Sequence, residues 1–83
     1  MWYVYILLCS DGTYYCGITN DIVKRIKAHN DKKGAKYTRG RTPVIIVYSE
    51  EYKTKSEALK REIRIKKMNR KQKEKLKIGY IIY

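Results

Sequence analysis

Two short runs of aromatic and β-branched residues open the chain. Residues 2–9 and residues 13–18 both alternate in a way that favours β-strands. The segment between them, residues 10–12, has the sequence Ser-Asp-Gly, which is typical of a tight turn. The pattern therefore predicts a β-hairpin at the start of the chain.

The length of the hairpin loop decides which side chains share a face. A three-residue loop with Gly12 in the left-handed conformation pairs Cys9 with Thr13. A two-residue Asp-Gly turn shifts the register by one residue and puts Tyr5 and Tyr15 on opposite faces. The three-residue loop gives the cleaner pattern, with an apolar core face and a tyrosine-rich face that can line a site. The core face carries Trp2, Val4, Ile6, Leu8, Tyr14, Cys16 and Ile18, and the other carries Tyr3, Tyr5, Leu7, Cys9, Thr13, Tyr15 and Gly17.

The first helix is predicted from Asn20, a favourable N-cap, with Asp21 in the first turn. It should run to about Asn30, with Ile22 and Ile26 forming its apolar stripe.

The rest of the chain predicts a loop, a strand and two helices. Residues 31–43 are basic and contain two glycines, which predicts a loop, and residues 44–52 predict a third strand. The patterns Thr54-x-x-Glu57 and, more weakly, Asn69-x-x-Gln72 predict two helix starts, the second near residue 70. The order β-β-α-β-α-α predicts an α+β fold, a small three-stranded antiparallel sheet with flanking helices. The pattern leaves open how the third strand joins the sheet.

Length and charge narrow the choice of function. The chain has 83 residues, which predicts one domain over residues 1–83. This domain ends in an apolar tail, residues 78–83, that either packs against the body or frays.

The chain is strongly basic. Its twenty Lys and Arg residues exceed its eight Asp and Glu residues, which gives a formal net charge of +12 that attracts polyanions or anionic membranes. Twelve of the basic residues lie between Lys53 and Lys77. They predict a phosphate-binding flank, the alternative being a pair of solvated lysine-rich helices.

The cysteines argue against a disulfide or a zinc site, and the apolar start of the chain argues against a membrane span or a secretory signal. Cys9 and Cys16 fall on opposite faces of the hairpin, which argues against a disulfide, and with His29 they match no zinc motif. We interpret them as reduced thiols of a cytoplasmic protein. The apolar residues 1–9 are too few to span a membrane and lack the basic start of a secretory signal.

Glu62 is the most informative acid. It lies four, three and three positions from Ala58, Leu59 and Ile65, which places it on the apolar stripe of its helix. An inward carboxylate must be paired, protonated or metal-bound. The alternative to a metal site is a salt bridge to a lysine or arginine. The acids are too scattered for a two-metal site, so a single Mg²⁺ held by Glu62 and waters is the most that the sequence supports, with Mn²⁺ as its substitute.

Arg25 and His29 lie four residues apart on one flank of the first helix. Arg25 is a candidate for gripping a phosphate, the alternative being a surface arginine, and His29 is either a site residue or a partner of the helix dipole. Gly17 inside a strand indicates close approach of a backbone or ligand.

At this point the residues resemble a known family. Tyr3-Val4-Tyr5 followed by Tyr15-Cys16-Gly17 is similar to the paired motif that names the GIY-YIG nucleases. Residues 18–21, 25–30, 34–38, Pro43 and 56–62 resemble its further blocks in order, so the resemblance covers residues 2–75. It is nearest to the small stand-alone branch related to the UvrC and Slx-type nuclease domains. This chain differs from the motif at two positions, where Tyr3 replaces the glycine and Cys16 replaces the isoleucine. Tyr3 would narrow access to the site.

The resemblance implies an endonuclease that hydrolyses DNA in repair or recombination. Glu62 would hold the metal, Arg25 would contact the scissile phosphate, and Tyr5, with Tyr15 or His29, would activate water. A tyrosine base needs positive charge nearby to lower its pKa, which the basic helices and the metal would supply. Away from the cut, the expected backbone contacts are Arg39, Arg41, Lys66, Arg70 and Lys73.

Two other functions compete with the nuclease. A nucleic-acid-binding module with the same fold would bind DNA, or RNA, without cutting it. A membrane-surface protein would use the basic helices and the apolar tail. We expect DNA as the partner, with RNA as a further possibility, and neither a membrane nor a small-molecule cofactor.

Overall fold

The structure is a computed structural model that describes the backbone of residues 1–82 and the side chains of residues 1–76. Its elements are β1 (Trp2–Leu8), β2 (Tyr14–Thr19), α1 (Ile22–Asn30), α2 (Lys36–Arg39), β3 (Ile45–Tyr52), α3 (Lys55–Lys66) and α4 (Arg70–Ile82). The predicted α+β fold and its β-β-α-β-α-α order are confirmed. The short helix α2 is an addition, because residues 31–43 were expected to form a loop throughout. The packing of the 78–83 tail lies outside the described side chains.

The hairpin has the predicted three-residue loop. Gly12 has a φ of 82°, in the left-handed region that glycine tolerates best. The Cys9 N–H donates to the Thr13 carbonyl at 2.8 Å, and Tyr5 pairs with Gly17 across the strands. This register gives each face the side chains that the sequence predicts for it. Both cysteines are free and buried, in separate clusters.

The sheet has the antiparallel order β2-β1-β3, so β1 is the central strand and β2 is an outer one. Strand β3 pairs with β1 along its length, with an irregularity between Ile6 and Leu7. The sequence pattern left this arrangement open because it depends on pairing between distant segments.

Both faces of the sheet are buried. The predicted core face packs against α3 and α4, and the buried residues of the cluster that they form with β3 are Val4, Ile6, Cys16, Val47, Ala58 and Ile65. The tyrosine-rich face forms a second core of Tyr5, Leu7, Cys9 and Val44, on which Ile26 of α1 packs. This second face is less open than the sequence suggested because α1 covers it.

Helix starts agree with the predicted capping signals at two of three positions. Thr54 and Asn69 each bond to the residue three positions ahead, and the Asn69–Gln72 pair makes both reciprocal bonds. The N-cap of α1 is Asp21 and not Asn20, because the Asp21 carboxylate accepts the N–H of Lys24. Helix α1 therefore begins at Ile22.

One ion pair fastens α3 to the sheet. Arg61 donates two hydrogen bonds, at 2.8 and 2.9 Å, to the two carboxylate oxygens of Glu50 on β3. Tyr48 and Tyr52 also donate to this carboxylate. Although burial alone raises the Glu50 pKa, these bonds outweigh burial and hold it below its usual value. Glu62, one residue after Arg61, is thereby held at a fixed place on α3.

Candidate functional site

The Tyr5 hydroxyl is the centre of a buried hydrogen-bond network. Its oxygen lies 2.9 Å from His29 Nε2 and accepts the Nε–H of Arg25 at 3.4 Å. On the other side of the imidazole, His29 Nδ1 lies 2.8 Å from the hydroxyl oxygen of Thr38. Strand β1 and helices α1 and α2 thus bring four polar side chains together. Three of them, Tyr5, Arg25 and His29, are residues that the sequence predicts for the site.

The charge states in this network follow from burial. Burial raises the pKa of Tyr5 to about 12, and the hydrogen bond from Arg25 opposes this only in part. Burial, followed by the charge of Arg25, lowers the pKa of His29. At neutral pH the phenol is therefore protonated and the imidazole is neutral. The expectation that nearby positive charge lowers the Tyr5 pKa is wrong for the protein alone, because desolvation outweighs a single guanidinium.

In the described part of the chain, Arg25 bonds to a phenol and not to a carboxylate. Arg41, Arg61 and Arg70 each pair with a carboxylate, whereas no ion pair among residues 1–76 involves Arg25. Its guanidinium therefore remains available to an anion, and its planar fork suits a phosphate. An open groove lies beside it, lined by Thr19, Asn20, Asp21, Lys24, Arg25 and Ala28.

Two glycines leave room for the Tyr5–His29 contact. A Cβ on Gly17 would lie 2.6 Å from the Tyr5 hydroxyl oxygen, and one on Gly34 would lie 2.4 Å from His29 Nδ1. Both distances are shorter than a Cβ tolerates. The close approach that the sequence predicts at Gly17 is therefore the approach of the Tyr5 side chain. In the same way, Gly34 leaves room for the His29 imidazole.

Aromatic rings separate the network from solvent. The Tyr15 ring packs edge-on against the His29 ring with centroids 5.3 Å apart, and it stacks on the Tyr37 ring at 6.0 Å. Tyr15 thus shapes one wall of the site. Tyr3, the first position that differs from the family motif, is half-buried on β1 opposite Thr19. Cys16, the second such position, packs in the core.

Glu62 faces inward, as predicted. Its side chain is 15% exposed, and its cationic neighbour is Lys66 on the same helix, with nitrogen and oxygen 3.5 Å apart. Burial, followed by the Glu62 charge, raises the pKa of the Cys16 thiol to about 12, which places the carboxylate on the sheet side of α3. Ala58 and Ile65 are buried, but Leu59 is 39% exposed and lies off this stripe.

Glu62 and the Tyr5 network lie on opposite sides of the sheet. No hydrogen bond or ion pair within residues 1–76 joins Glu62 to Tyr5, Arg25 or His29. The two sides meet at the outer strand β2, in a groove of about 210 Å³ that we name the β2-edge groove. It is lined by Tyr14, Tyr15, Cys16, Tyr37, Lys66 and Lys73. Lys66 links the two sides, since it pairs with Glu62 and lines the groove beside Tyr15.

The five predicted backbone-contact residues fall into two groups. Lys66 and Lys73 line the β2-edge groove, and Arg39 is exposed at the end of α2. Arg41 already bonds Asp11 and the Tyr37 carbonyl, and Arg70 bonds Glu74 and the Gly12 carbonyl. Because Arg41 and Arg70 already make these internal hydrogen bonds, any contact that they make with a phosphate competes with them.

The residues fit at most a single, sparsely coordinated divalent ion. Glu62 is a hard oxygen ligand, and its ion pair with Lys66, which lines the β2-edge groove, is long. No group of three or more His, Cys, Asp or Glu side chains within residues 1–76 could hold a metal. These features suit one Mg²⁺ that keeps most of its waters and completes its shell with a substrate phosphate.

Sequence reasoning missed Thr38 and Gly34 as site residues. Both belong to the 34–38 block of the resemblance, which was the available signal, but no role was assigned to them. Their contacts are with His29 in another element, and such contacts leave no periodic pattern. Among the helices of residues 1–82, none has the length and apolar character that crossing a membrane requires.

The chain matches known proteins over most of its length. The family model for the GIY-YIG catalytic domain matches residues 1–76. A UPF0213 protein of Halobacterium salinarum is 55% identical over 76 residues, which cover 92% of this chain and 99% of the relative. A UPF0213 protein of Clostridium perfringens is 58% identical over 74 residues, covering 89% and 80%.

Two solution NMR structures share the fold. A protein from E. faecalis superposes with a TM-score of 0.64 at 43% identity, over 98% of this chain and 86% of that one. A UPF0213 protein from Bacillus halodurans superposes with a TM-score of 0.58 at 48% identity, over 92% and 82%.

Proposed function

The chain belongs to the GIY-YIG catalytic-domain family, and from this premise we propose that it is a metal-dependent endonuclease that hydrolyses DNA phosphodiester bonds. The observation that carries the proposal is the arrangement of Arg25, Tyr5 and His29. The Arg25 guanidinium, which has no carboxylate partner among the described side chains, donates a hydrogen bond to the Tyr5 hydroxyl, and this hydroxyl lies 2.9 Å from Nε2 of the neutral His29 imidazole. This arrangement can bind a phosphate and activate water in one place.

Proton transfer in this site requires His29 as well as Tyr5. Tyr5 is protonated at neutral pH and cannot act as a base by itself. We propose that the Tyr5 hydroxyl proton moves to His29 Nε2 as the Tyr5 oxygen takes a proton from the attacking water. The water oxygen then bonds to phosphorus, and the bond from phosphorus to the leaving ester oxygen breaks, with its electron pair going to that oxygen, which takes a proton from solvent. The lowered pKa of His29 keeps Nε2 free to accept the proton.

Negative charge builds up on the phosphate during this reaction. Arg25 would donate hydrogen bonds to the phosphate oxygens, since no carboxylate competes for its guanidinium. Glu62 would hold a single Mg²⁺ or Mn²⁺, which supplies Lewis-acid stabilisation of the phosphate charge when bound. Glu62 is suited to this role because α3 is anchored through Arg61 and Glu50.

The charge distribution favours a nucleic-acid backbone as the substrate, and membership of the GIY-YIG family supports DNA. Lys66 and Lys73 line the groove beside Tyr15, and the α3–α4 segment carries most of the positive charge. Contacts of this kind bind the backbone without reading its sequence. A role in repair or recombination on branched or flapped DNA is the corresponding biological proposal. RNA would satisfy the same phosphate contacts.

One observation favours a second candidate, a nucleic-acid-binding module that does not cut. Tyr5 is only 1% exposed, so a water molecule reaches its hydroxyl only if neighbouring side chains move. If DNA binding does not move them, the protein binds phosphate and leaves it intact.

The experiment that separates these candidates is cleavage of labelled single-stranded, duplex, flapped and branched DNA with Mg²⁺, Mn²⁺ or EDTA. Two variants, Glu62→Gln and Arg25→Ala, run beside wild type. Their matched controls are Glu51→Gln and Arg64→Ala, which remove the same charges from exposed positions.

The nuclease is supported if wild type cuts DNA in a metal-dependent way, if both site variants bind DNA without cutting it, and if both controls still cut. Binding of every DNA by wild type without cutting in any metal supports the binding module instead.

A further inference from the structure

The buried hydroxyl of Thr38 is not accounted for by the reaction described above. Thr38 and His29 are both 0% exposed, and their side chains meet at 2.8 Å. Thr38 Oγ1 also lies 2.9 Å from the carbonyl oxygen of Ala35, to which it donates. A buried threonine could form this bond for stability alone. The direction of the hydrogen bonds shows that it also does something more specific.

The Thr38 end of the network fixes the direction of the hydrogen bonds to His29. At the other end Arg25 can only donate, so the Tyr5 oxygen accepts its Nε–H, and the Tyr5 proton remains available for His29 Nε2. The Ala35 carbonyl can only accept, so the Thr38 proton goes there and Thr38 Oγ1 must accept from His29 Nδ1. The imidazole therefore carries its proton on Nδ1 and presents a bare Nε2 to Tyr5.

We propose that Thr38 is a positioning residue that holds His29 in the Nδ1–H tautomer, with Nε2 aimed at the Tyr5 hydroxyl. The tautomer is a property of the folded protein. Only its catalytic consequence rests on the proposed nuclease function. In the opposite tautomer Nε2 would carry a proton and could not accept the one that Tyr5 releases.

Helix α2 supplies Thr38 at the required place. The Thr38 N–H and hydroxyl both bond to Ala35, which fixes the side chain within this short helix. The Arg41 N–H bonds back to the Thr38 carbonyl at 3.0 Å, while the Arg41 side chain holds Asp11. Gly34 lets the preceding chain pass against the imidazole. The 34–38 segment therefore encloses His29 on the side away from Tyr5.

The tautomer can be read directly because His29 is the only histidine in the chain. Long-range ¹H–¹⁵N NMR spectra of uniformly labelled protein, recorded above pH 7 without DNA or metal, distinguish the two ring nitrogens. We expect wild type and Thr38→Ser to show protonated Nδ1 and bare Nε2. In Thr38→Val we expect the Nε2–H form to become detectable or dominant. Thr19→Val is the control for the tautomer, since the hydroxyl of this buried threonine bonds to the backbone of Asp21 and is not hydrogen-bonded to His29.

Two results would overturn the proposal. The first is Nε2–H as the main form in wild type, a measurement that does not depend on any variant folding. The second is a Thr38→Val spectrum with the wild-type tautomer.

The catalytic consequence has a separate readout in single-turnover cleavage. Thr38→Val should lower the rate on the order of 10²-fold at unchanged DNA affinity, and Thr38→Ser should restore it. A wild-type protein with the Nδ1–H tautomer and no cleavage would refute the nuclease function and leave the tautomer assignment standing. An active Thr38→Val protein with an altered tautomer would refute the catalytic role of the tautomer.

Discussion

The hydroxyl of Tyr5 lies 2.9 Å from His29 Nε2, and each of the two groups is unsuited to water activation without the other. Tyr5 holds its proton because its pKa is about 12. His29 is shielded from the groove by the Tyr15 ring. Together they form a route for proton transfer. The Tyr5 oxygen takes a proton from water while the hydroxyl proton of Tyr5 moves to the His29 imidazole.

Tyr5→Phe tests this route by removing only the hydroxyl. We expect the cleavage rate to fall on the order of 10²- to 10⁴-fold, because general-base assistance is lost, while DNA affinity changes little. The loss of the hydrogen bonds that this hydroxyl makes with His29 and Arg25 should lower the free energy of unfolding by about 1–3 kcal/mol. Single-turnover cleavage, DNA titration and urea unfolding measure these three quantities. Tyr3→Phe is the control on the same strand, and equal cleavage by the Tyr5 and Tyr3 variants would refute the role of the Tyr5 hydroxyl.

Gly17→Ala and Gly34→Ala should both disturb the Tyr5–His29 contact. Each added Cβ would lie closer than 3.0 Å to a group of this pair. We expect each substitution to lower the free energy of unfolding by about 1–3 kcal/mol through overpacking and to lower cleavage. Gly40→Ala is the matched control, since no heavy atom lies within 4 Å of its added Cβ. Thermal unfolding at or above the wild-type midpoint in both site variants would contradict the observed packing.

The stability of the protein should decline as the pH falls below the ordinary imidazole pKa of about 6.5. The folded protein holds the His29 pKa below that value, so the unfolded chain takes up the proton first and is stabilised by it. The slope from one site is at most ~1.4 kcal/mol per pH unit. Glu50, whose pKa is also lowered, acts only at more acidic pH. Urea unfolding between pH 8 and 5 measures this slope.

His29→Gln is the variant that identifies the source of this slope. It lacks a group that titrates between pH 5 and 8, so its unfolding free energy should be nearly flat over that range. A slope in the variant equal to that of wild type would assign the effect to other groups.

Breaking the Arg61–Glu50 pair should destabilise the fold without removing any site residue. Arg61→Met leaves the Glu50 carboxylate partly buried with two tyrosine donors only. We expect a loss of roughly 3 kcal/mol, because a buried carboxylate keeps its desolvation cost after its cation is removed. Arg64→Met is the control on the exposed face of α3. Urea midpoints of the two variants give the comparison, and a difference below about 0.5 kcal/mol would contradict the anchoring role.

Much of the fold could be predicted because its signals are local. The Ser-Asp-Gly turn and the alternation around it fix the hairpin register, and the capping pattern at Thr54 fixes the start of α3. The inward position of Glu62 follows from helical spacing. The first N-cap was placed one residue early because Asn20 and Asp21 are both good capping residues, and only the bond to Lys24 distinguishes them.

The features that could not be predicted depend on contacts between distant segments. The place of β3 beside β1 requires pairing across some forty residues. Helix α2 has only four residues and no periodic stripe, and its buried residue, Thr38, makes its bond to His29 in another helix. The Tyr5 pKa also depends on this packing, since burial of the phenol is not visible in the sequence.

The most direct test of the central claim is the single-turnover cleavage rate of labelled flapped DNA under saturating protein and Mg²⁺. Wild type and Arg25→Ala are compared at a salt concentration where both bind the DNA fully. The account predicts cutting by wild type, its loss with EDTA, and a fall on the order of 10²-fold or more in the variant. Wild-type protein that saturates the DNA and leaves it intact at every Mg²⁺ concentration would contradict it.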